Sequence, residues 1–251
     1  TGDGIYLAGG SKNENSTNVS VHDCNIYYNR RQGISIISAD MINIYKNKIH
    51  DISGTKPAAG IDLESNNEEE KINNIKIYEN EFYNFENDIA ISLIRYVYDV
   101  EIYSNIITNG NINANDTRNL LNIHDNNLKN SSIQLLSSDG NISAGYYLNN
   151  LIVDKNEIET GDILIQGANQ FNVSNNVVKN GYIGAADCSG EMFNNNVVNT
   201  TGIQRQFAYA LDSIRESGSY TLKHSGNEAE GNFKEVYSID YKYYTLNEIT
   251  N

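Results

Sequence analysis

One pattern decides the fold, and its clearest copy is Ile42-Asn43-Ile44-Tyr45-Lys46-Asn47-Lys48-Ile49. Two apolar residues stand two positions apart, an Asn follows three positions later, and a third apolar residue follows two positions after the Asn. Apolar residues two apart lie on one face of a β-strand. Asn suits a bend, because its side chain bonds backbone groups and because it tolerates left-handed backbone angles. The stretch therefore predicts a strand, a bend at Asn47 and a second strand.

The pattern recurs along most of the chain, with successive copies 20 to 33 residues apart. The clear copies begin at Val19, Ile42, Ile75, Val100, Leu121, Leu151 and Phe171. Less regular copies contain Phe193, Asn196 and Val198, and then Tyr220, Leu222 and Ser225. Repeats of this length indicate a solenoid of stacked coils. Stacking places the Asn side chains about 4.8 Å apart, where each can bond the next as a ladder.

A further strand precedes each early copy of the pattern. Gly4–Leu7, Gly33–Ile36, Gly60–Leu63 and Asp88–Ile91 align with one another in the sequence. The predicted fold is all-β: a right-handed parallel β-helix of about eight to nine coils with an Asn ladder. A leucine-rich-repeat horseshoe also carries such a ladder, but its Leu-dominated consensus and its helices are absent from this sequence.

The repeat weakens near the end of the chain. We predict a β-helix over residues 1–202 and C-terminal coils with a cap over residues 203–251, including a short amphipathic helix at Gln204–Glu216. The first residues read like the interior of a repeat, so we expect a fragment of a longer protein. Cys24 and Cys188 fall several coils apart in such a stack, and we expect two free, buried thiols.

The charge balance limits the partners. Eighteen Lys and Arg against 32 Asp and Glu give a net charge of -14, which argues against a nucleic-acid partner and an anionic membrane surface. Because no stretch approaches the roughly 18 apolar residues of a membrane span, we expect no membrane insertion. A neutral glycan is not repelled, whereas an acidic polysaccharide needs a cation or an Arg cluster to offset the field.

Two segments, Arg30–Ile36 and Gly54–Glu64, resemble right-handed β-helix proteins of the pectate-lyase superfamily. The resemblance is nearest to mannuronan C5-epimerase-like repeats and to bacteriophage tailspike or tail-appendage proteins. It implies that a polysaccharide is bound or cleaved along one face, at an extracellular or virion-surface location, and that the protein assembles as a homotrimer. The Asp-Pro-His catalytic signature of the epimerases is absent from the sequence, and the calcium-and-arginine constellation of the lyases is not recognisable.

The strongest catalytic candidates are Asp62 and Glu64. If Ile61 and Leu63 face the core, both carboxylates face outward about 7 Å apart, a separation that suits an acid and a base flanking a water. The same pair could bind Ca²⁺. Apart from this ion we expect no cofactor, and we assign no metal ligands. The alternatives without chemistry are a solvated acidic strand and an ion pair with Arg31.

Further polar residues surround these two in the predicted stack. Arg31 could hold a sugar carboxylate or stabilise developing charge, or it could form a salt bridge to a neighbouring coil. The candidates for substrate binding on this patch are Gln32, Asp3, Asp88 and Arg95.

A column of aromatic residues runs along another sheet. It contains His22, Tyr45, Tyr78, Tyr103 and His124, followed by Asp154 and Ser174. The rings could pack on sugars, which makes Tyr45, Tyr78 and Tyr103 candidates for substrate binding. The favoured alternative is that they stack on one another across coils or form a subunit interface. His50 is interpreted as a bend residue.

The sequence thus favours an enzyme: a polysaccharide lyase, an epimerase or a glycoside hydrolase that acts on a cell-surface or matrix glycan, for example as a phage tailspike depolymerase. The alternative is a non-catalytic β-helix that binds glycan or serves as a structural part of a tail fibre or surface protein.

Overall fold

The computed structural model describes residues 2–9, 14–67, 69–138, 148–215 and 218–249. Within these ranges the chain forms 29 strands, which pair in three parallel sheets. No helix in the described ranges is long and apolar enough to cross a membrane.

Sheet A contains ten strands. They are β1 (Ile5–Leu7), β4 (Ile34–Ile36), β7 (Ile61–Glu64), β10 (Ile89–Ile94), β13 (Asn111–Asn115), β16 (Ile133–Leu136), β19 (Ile163–Gln166), β22 (Ile183–Ala186), β25 (Arg205–Asp212) and β28 (Phe233–Ile239).

Sheet B also contains ten strands. They are β2 (Ser16–His22), β5 (Ala39–Tyr45), β8 (Ile72–Tyr78), β11 (Val97–Tyr103), β14 (Leu121–His124), β17 (Leu151–Asp154), β20 (Phe171–Ser174), β23 (Gly190–Phe193), β26 (Tyr220–Ser225) and β29 (Tyr244–Glu248).

Sheet C contains nine strands. They are β3 (Asn25–Tyr27), β6 (Lys48–Ile52), β9 (Glu81–Phe85), β12 (Ile106–Thr108), β15 (Asn127–Lys129), β18 (Glu157–Glu159), β21 (Val177–Lys179), β24 (Asn196–Asn199) and β27 (Glu228–Gly231).

The chain visits the three sheets in turn, and each strand pairs with the strand three further along. This topology is a right-handed parallel β-helix, since parallel crossovers adopt that hand almost always. Counted over the described residues, nine coils have all three strands and a tenth has two. The predicted fold class and coil number are confirmed.

The core is a stack of inward-facing aliphatic side chains, one layer for each coil. Ile42, Ile44, Ile75 and Ile77 have no exposed surface, and strand pairing places Ile75 on Ile42 and Ile77 on Ile44. Burial of each such side chain contributes roughly 1.5–3 kcal/mol. The alternation read from the sequence therefore explains the core.

The Asn ladder runs along the bend between sheets B and C. Asn47, Asn80, Asn105, Asn126, Asn156, Asn176 and Asn195 each donate from the backbone N–H and from Nδ2 to Oδ1 of the Asn in the next coil, at 2.9–3.1 Å. Each Nδ2 also donates to a carbonyl of the preceding coil, as Asn126 does to Ile102 at 2.9 Å. The ladder satisfies groups that the bend removes from the sheets.

The left-handed residue at each bend is the one before the ladder Asn, and not the Asn itself as the sequence suggested. Lys46, Glu79, Ser104 and Lys155 have φ of 53–54° there. Non-glycine residues rarely adopt this conformation. The ladder hydrogen bonds hold it in place at coil after coil.

Two late copies of the pattern were aligned incorrectly. Met192 pairs with Val173, so the ladder residue of the eighth copy is Asn195 and not Asn196. In the ninth copy it is Asn227, which accepts from Asn195 at 2.9 Å, and not Ser225. Gly190 replaces the first apolar residue of the eighth copy, which hid the correct register.

Two further expectations were wrong. Most of the segment predicted as a helix, Gln204–Glu216, forms strand β25, whose Tyr209 and Leu211 are buried in the core; Glu216 lies outside the described residues. Both cysteines are free, but only Cys188 is buried and Cys24 is exposed. Strands β25–β29 extend the same three sheets, and the division at residue 203 stays a prediction.

Candidate functional site

Asp62 lies on the outer face of sheet A, in the third coil. Its neighbours Ile61 and Leu63 have no exposed surface and point into the core, so Asp62 faces outward as predicted. Strand pairing places it between Ser35 and Ser92 of the flanking coils. Both neighbours carry a hydroxyl group, so the carboxyl has a polar group on either side.

The Asp62 carboxyl is nevertheless covered. Asp62 is only 1% exposed. The amide Nε2 of the fully buried Gln32 donates to Asp62 Oδ2 at 2.8 Å. The alternative of a solvated acidic strand is therefore wrong for Asp62. Glu64, two residues further along the strand, is partly exposed.

Burial raises the pKa of Asp62 to about 6, and the nearby charge of Glu64 adds to the rise. The nearby hydroxyl of Ser92, the hydrogen bond from Gln32 and the charge of Arg31 act in the opposite direction. Desolvation dominates because the charged carboxylate loses more stabilisation by water than its polar neighbours provide in return. Asp62 is therefore about half protonated near pH 6.

Three oxygens in this cluster are buried without a hydrogen-bond partner: Asp62 Oδ1, Gln32 Oε1 and Ser35 Oγ. Buried polar atoms without partners are uncommon and cost free energy. The cluster therefore lowers the stability of the fold at this point.

Arg31 and Asp3 complete the cluster. Arg31 Nη1 lies 3.6 Å from Asp3 Oδ2, and the backbone N–H of Gln32 donates to Asp3 Oδ1 at 3.3 Å. The salt-bridge alternative for Arg31 therefore applies, with Asp3 as the partner. The structure brings together five of the predicted residues, Asp3, Arg31, Gln32, Asp62 and Glu64.

Asp88 and Arg95 flank strand β10 and make no hydrogen bond or ion pair with this cluster in the described ranges. Ile91, and not Ile89, pairs with Ile61, so the early alignment of this strand was off by two residues. Both Asp88 and Arg95 are exposed and have left-handed backbone angles at the two ends of β10.

The predicted aromatic column is confirmed as a continuous stack on sheet B. Ring centroids from His22 through Tyr45, Tyr78 and Tyr103 to His124 are 4.8–5.1 Å apart, with interplanar angles of 13° or less. The rings therefore cover one another's faces. Only their edges and hydroxyls are available to a sugar, so a substrate-binding role for the tyrosines stays a prediction.

A second stack, on sheet C, was missed. His50 lies in strand β6, not in a bend, between Tyr27 and Tyr83 at 5.3 and 4.5 Å. Each of these rings directly follows the third apolar residue of its repeat, and this regularity could have revealed the stack.

Removing the central ring of the sheet B stack should reduce stability. We expect Tyr78→Ala to lower the free energy of unfolding by about 1–2 kcal/mol, because two ring contacts are lost. Tyr6→Ala, at a tyrosine 57% exposed, should change it by less than about 0.5 kcal/mol. Urea unfolding of both variants measures the difference, and equal effects would contradict a stabilising role for the stack.

The described residues contain no group of three or more His, Cys, Asp or Glu side chains placed to hold a metal ion. Binding of Ca²⁺ stays a prediction.

Comparison with known proteins finds only distant structural likeness. No protein-family model matches the chain, and no curated protein matches its sequence. The solved structures that resemble it include full-length tailspike protein 2 of Escherichia coli O157:H7 bacteriophage CAB120, with a TM-score of 0.48 and 10% identity over 97% of this chain. The chain spans 37% of that tailspike.

Two other solved structures are similar to a lesser degree. An alginate lyase from Paenibacillus sp. str. FPU-7 has a TM-score of 0.35 and 12% identity, over 82% of this chain and 74% of the lyase. A glycoside hydrolase has a TM-score of 0.37 and 12% identity, over 92% of this chain and 41% of the hydrolase. All three are parallel β-helices.

Proposed function

We propose that the protein processes a polysaccharide on the outer face of sheet A, with Asp62 as the acid and Glu64 as the base. The observation that carries the proposal is the covered carboxyl of Asp62, whose pKa is raised to about 6, beside a second, partly exposed carboxyl on the same strand and face. Acid catalysis near neutral pH needs a carboxyl that holds its proton there.

The proposed reaction is hydrolysis of a glycosidic bond. Protonated Asp62 donates its proton to the leaving glycosidic oxygen while Glu64 removes a proton from a water molecule. The water oxygen bonds to the anomeric carbon as the bond to the leaving oxygen breaks. The two side chains are about 7 Å apart by strand geometry, a separation that leaves room for the water and gives inversion at the anomeric carbon.

Lyase or epimerase chemistry is supported less well. It needs a proton to be abstracted beside a uronate carboxyl, with Arg31 neutralising that carboxyl. Arg31 already pairs with Asp3, and the net charge of -14 repels an acidic polymer.

A second candidate function is glycan binding without cleavage. The burial of Asp62 favours it, because a carboxyl in a residue 1% exposed meets a sugar only after neighbouring side chains move. An extracellular or virion-surface location and a homotrimer remain predictions under either function.

A panel of neutral and acidic polysaccharides tests the proposal. Release of reducing ends, together with NMR of the first anomer formed, measures hydrolysis and its stereochemistry. We expect Asp62→Asn and Glu64→Gln each to lower the rate at least about 100-fold, and Glu235→Gln, an exposed residue of β28, to leave it unchanged. Undiminished cleavage by Asp62→Asn, or an unsaturated product, would contradict acid–base hydrolysis. Binding by the wild type without cleavage would favour the second candidate.

A further inference from the structure

A groove with a volume of about 480 Å³ crosses the outer face of sheet B, in the C-terminal half of the described β-helix. We call it the sheet B groove. Its outward-facing lining residues are Asn150, Ile152, Asn169, Gln170, Asn172, Ser189, Glu191, Thr221 and Lys223. Its volume lies in the range of small-molecule sites, and none of its residues belongs to the Asp62 cluster.

Two rows of side chains form the groove, each with one residue per coil. One row contains Ile152, Asn172, Glu191 and Lys223, which strand pairing stacks in this order. The other contains Asn150, Gln170, Ser189 and Thr221, one position before the paired strand residues. The four coils are separated by three intervals of about 4.8 Å, so the rows are about 15 Å long from first to last, and the groove runs along the helix axis.

Amides and hydroxyls dominate the lining. A hydroxyl both donates and accepts hydrogen bonds, and an amide has a donor and an acceptor side by side. Both arrangements match neighbouring hydroxyls on a sugar ring. Asn172 has a buried Oδ1 without a hydrogen-bond partner. The apolar side chain of Ile152, half-buried, gives the groove one surface on which a sugar ring can lie.

The charges of the groove cancel. Lys223 Nζ lies 3.2 Å from Glu191 Oε1, so the cation is already paired. A phosphate or a uronate would meet no free cation among the lining residues, on a protein with a net charge of -14. The groove therefore favours an uncharged ligand.

We propose that the sheet B groove binds a neutral oligosaccharide, extended along the helix axis, through the amides of Gln170 and Asn172. This site lies on a different sheet from Asp62, and it does not depend on the acid–base function proposed above. It would retain a glycan at the surface while a separate face acts on it.

Glycan binding tests the proposal directly. An array of neutral gluco-, manno- and galacto-oligosaccharides identifies a binder, and isothermal titration calorimetry measures its Kd beside that of hexagalacturonate. We expect a neutral oligosaccharide to bind and hexagalacturonate to bind at least about 10-fold more weakly. The double variant Gln170→Ala, Asn172→Ala should weaken the neutral ligand at least about 10-fold.

The matched control is Asn43→Ala, because Asn43 occupies the same outer row of sheet B several coils away. It should leave the Kd unchanged. Asp62→Asn should also leave it unchanged, so loss of catalysis and loss of groove binding are separate results. No neutral ligand on the array, unchanged affinity in the double variant, or equal affinity for hexagalacturonate would each overturn the proposal.

Discussion

Replacing Asn126 by Ala should lower the free energy of unfolding by about 4 kcal/mol, the largest effect that we expect from one substitution. Asn126 is 2% exposed, and its side chain accepts from Asn105 and donates to Ile102 and Asn156. Ala leaves these buried partners unsatisfied in two neighbouring coils. Each such loss costs about 1–3 kcal/mol.

The adjacent residue provides the control. Asn127 is exposed in strand β15, and Asn127→Ala should change the free energy of unfolding by less than about 0.5 kcal/mol. Urea denaturation followed by circular dichroism compares the two variants. If both lose the same amount, the ladder is not a principal source of stability.

Asp62→Asn should make the protein more stable at pH 8, by about 3 kcal/mol. The pKa of Asp62 is taken as 3.8 in the unfolded chain and is about 6 in the folded protein. The folded state therefore holds this proton more tightly, and the associated stability is fully present below about pH 4. It is lost as pH rises through 6, by about 3 kcal/mol for a rise of about two pKa units.

Asn at this position does not titrate, so the variant and the wild type should differ most above pH 7 and converge towards pH 4. Unfolding measured at several pH values gives the difference directly. Glu235→Gln should shift stability by less than about 0.5 kcal/mol throughout. A destabilised Asp62→Asn variant at pH 8 would show that Asp62 is charged and well solvated in the folded protein.

The architecture could be predicted from the sequence because each coil repeats one local pattern. At Ile42, Ile44 and Asn47, alternation and the bend are both visible within eight residues. The prediction failed in copies where a different residue type occupies a position that the pattern reserves for an apolar residue. Gly190 in the eighth copy and His224 in the ninth, which pairs with Met192, displaced the predicted ladder residues.

The candidate site could be predicted only in part. Alternation from Ile61 correctly placed Asp62 outward, but an outward position on a strand does not reveal what covers it. The partner of Arg31 was also uncertain, since Asp3 lies 28 positions away and meets it only through coil stacking. Asp88 was misplaced because two extra residues precede the paired part of β10.

The regular stacking of coils determines which insertions and deletions of sequence the fold can accept. Leu151 and Phe171 begin adjacent copies, 20 residues apart, and pair directly with each other. A segment of that length can in principle be duplicated or excised while the junction keeps the same hydrogen-bond register and the same ladder. Insertions and deletions should therefore be tolerated in whole turns. Each one lengthens or shortens the rod by about 4.8 Å and rotates no side chain from the interior to the surface.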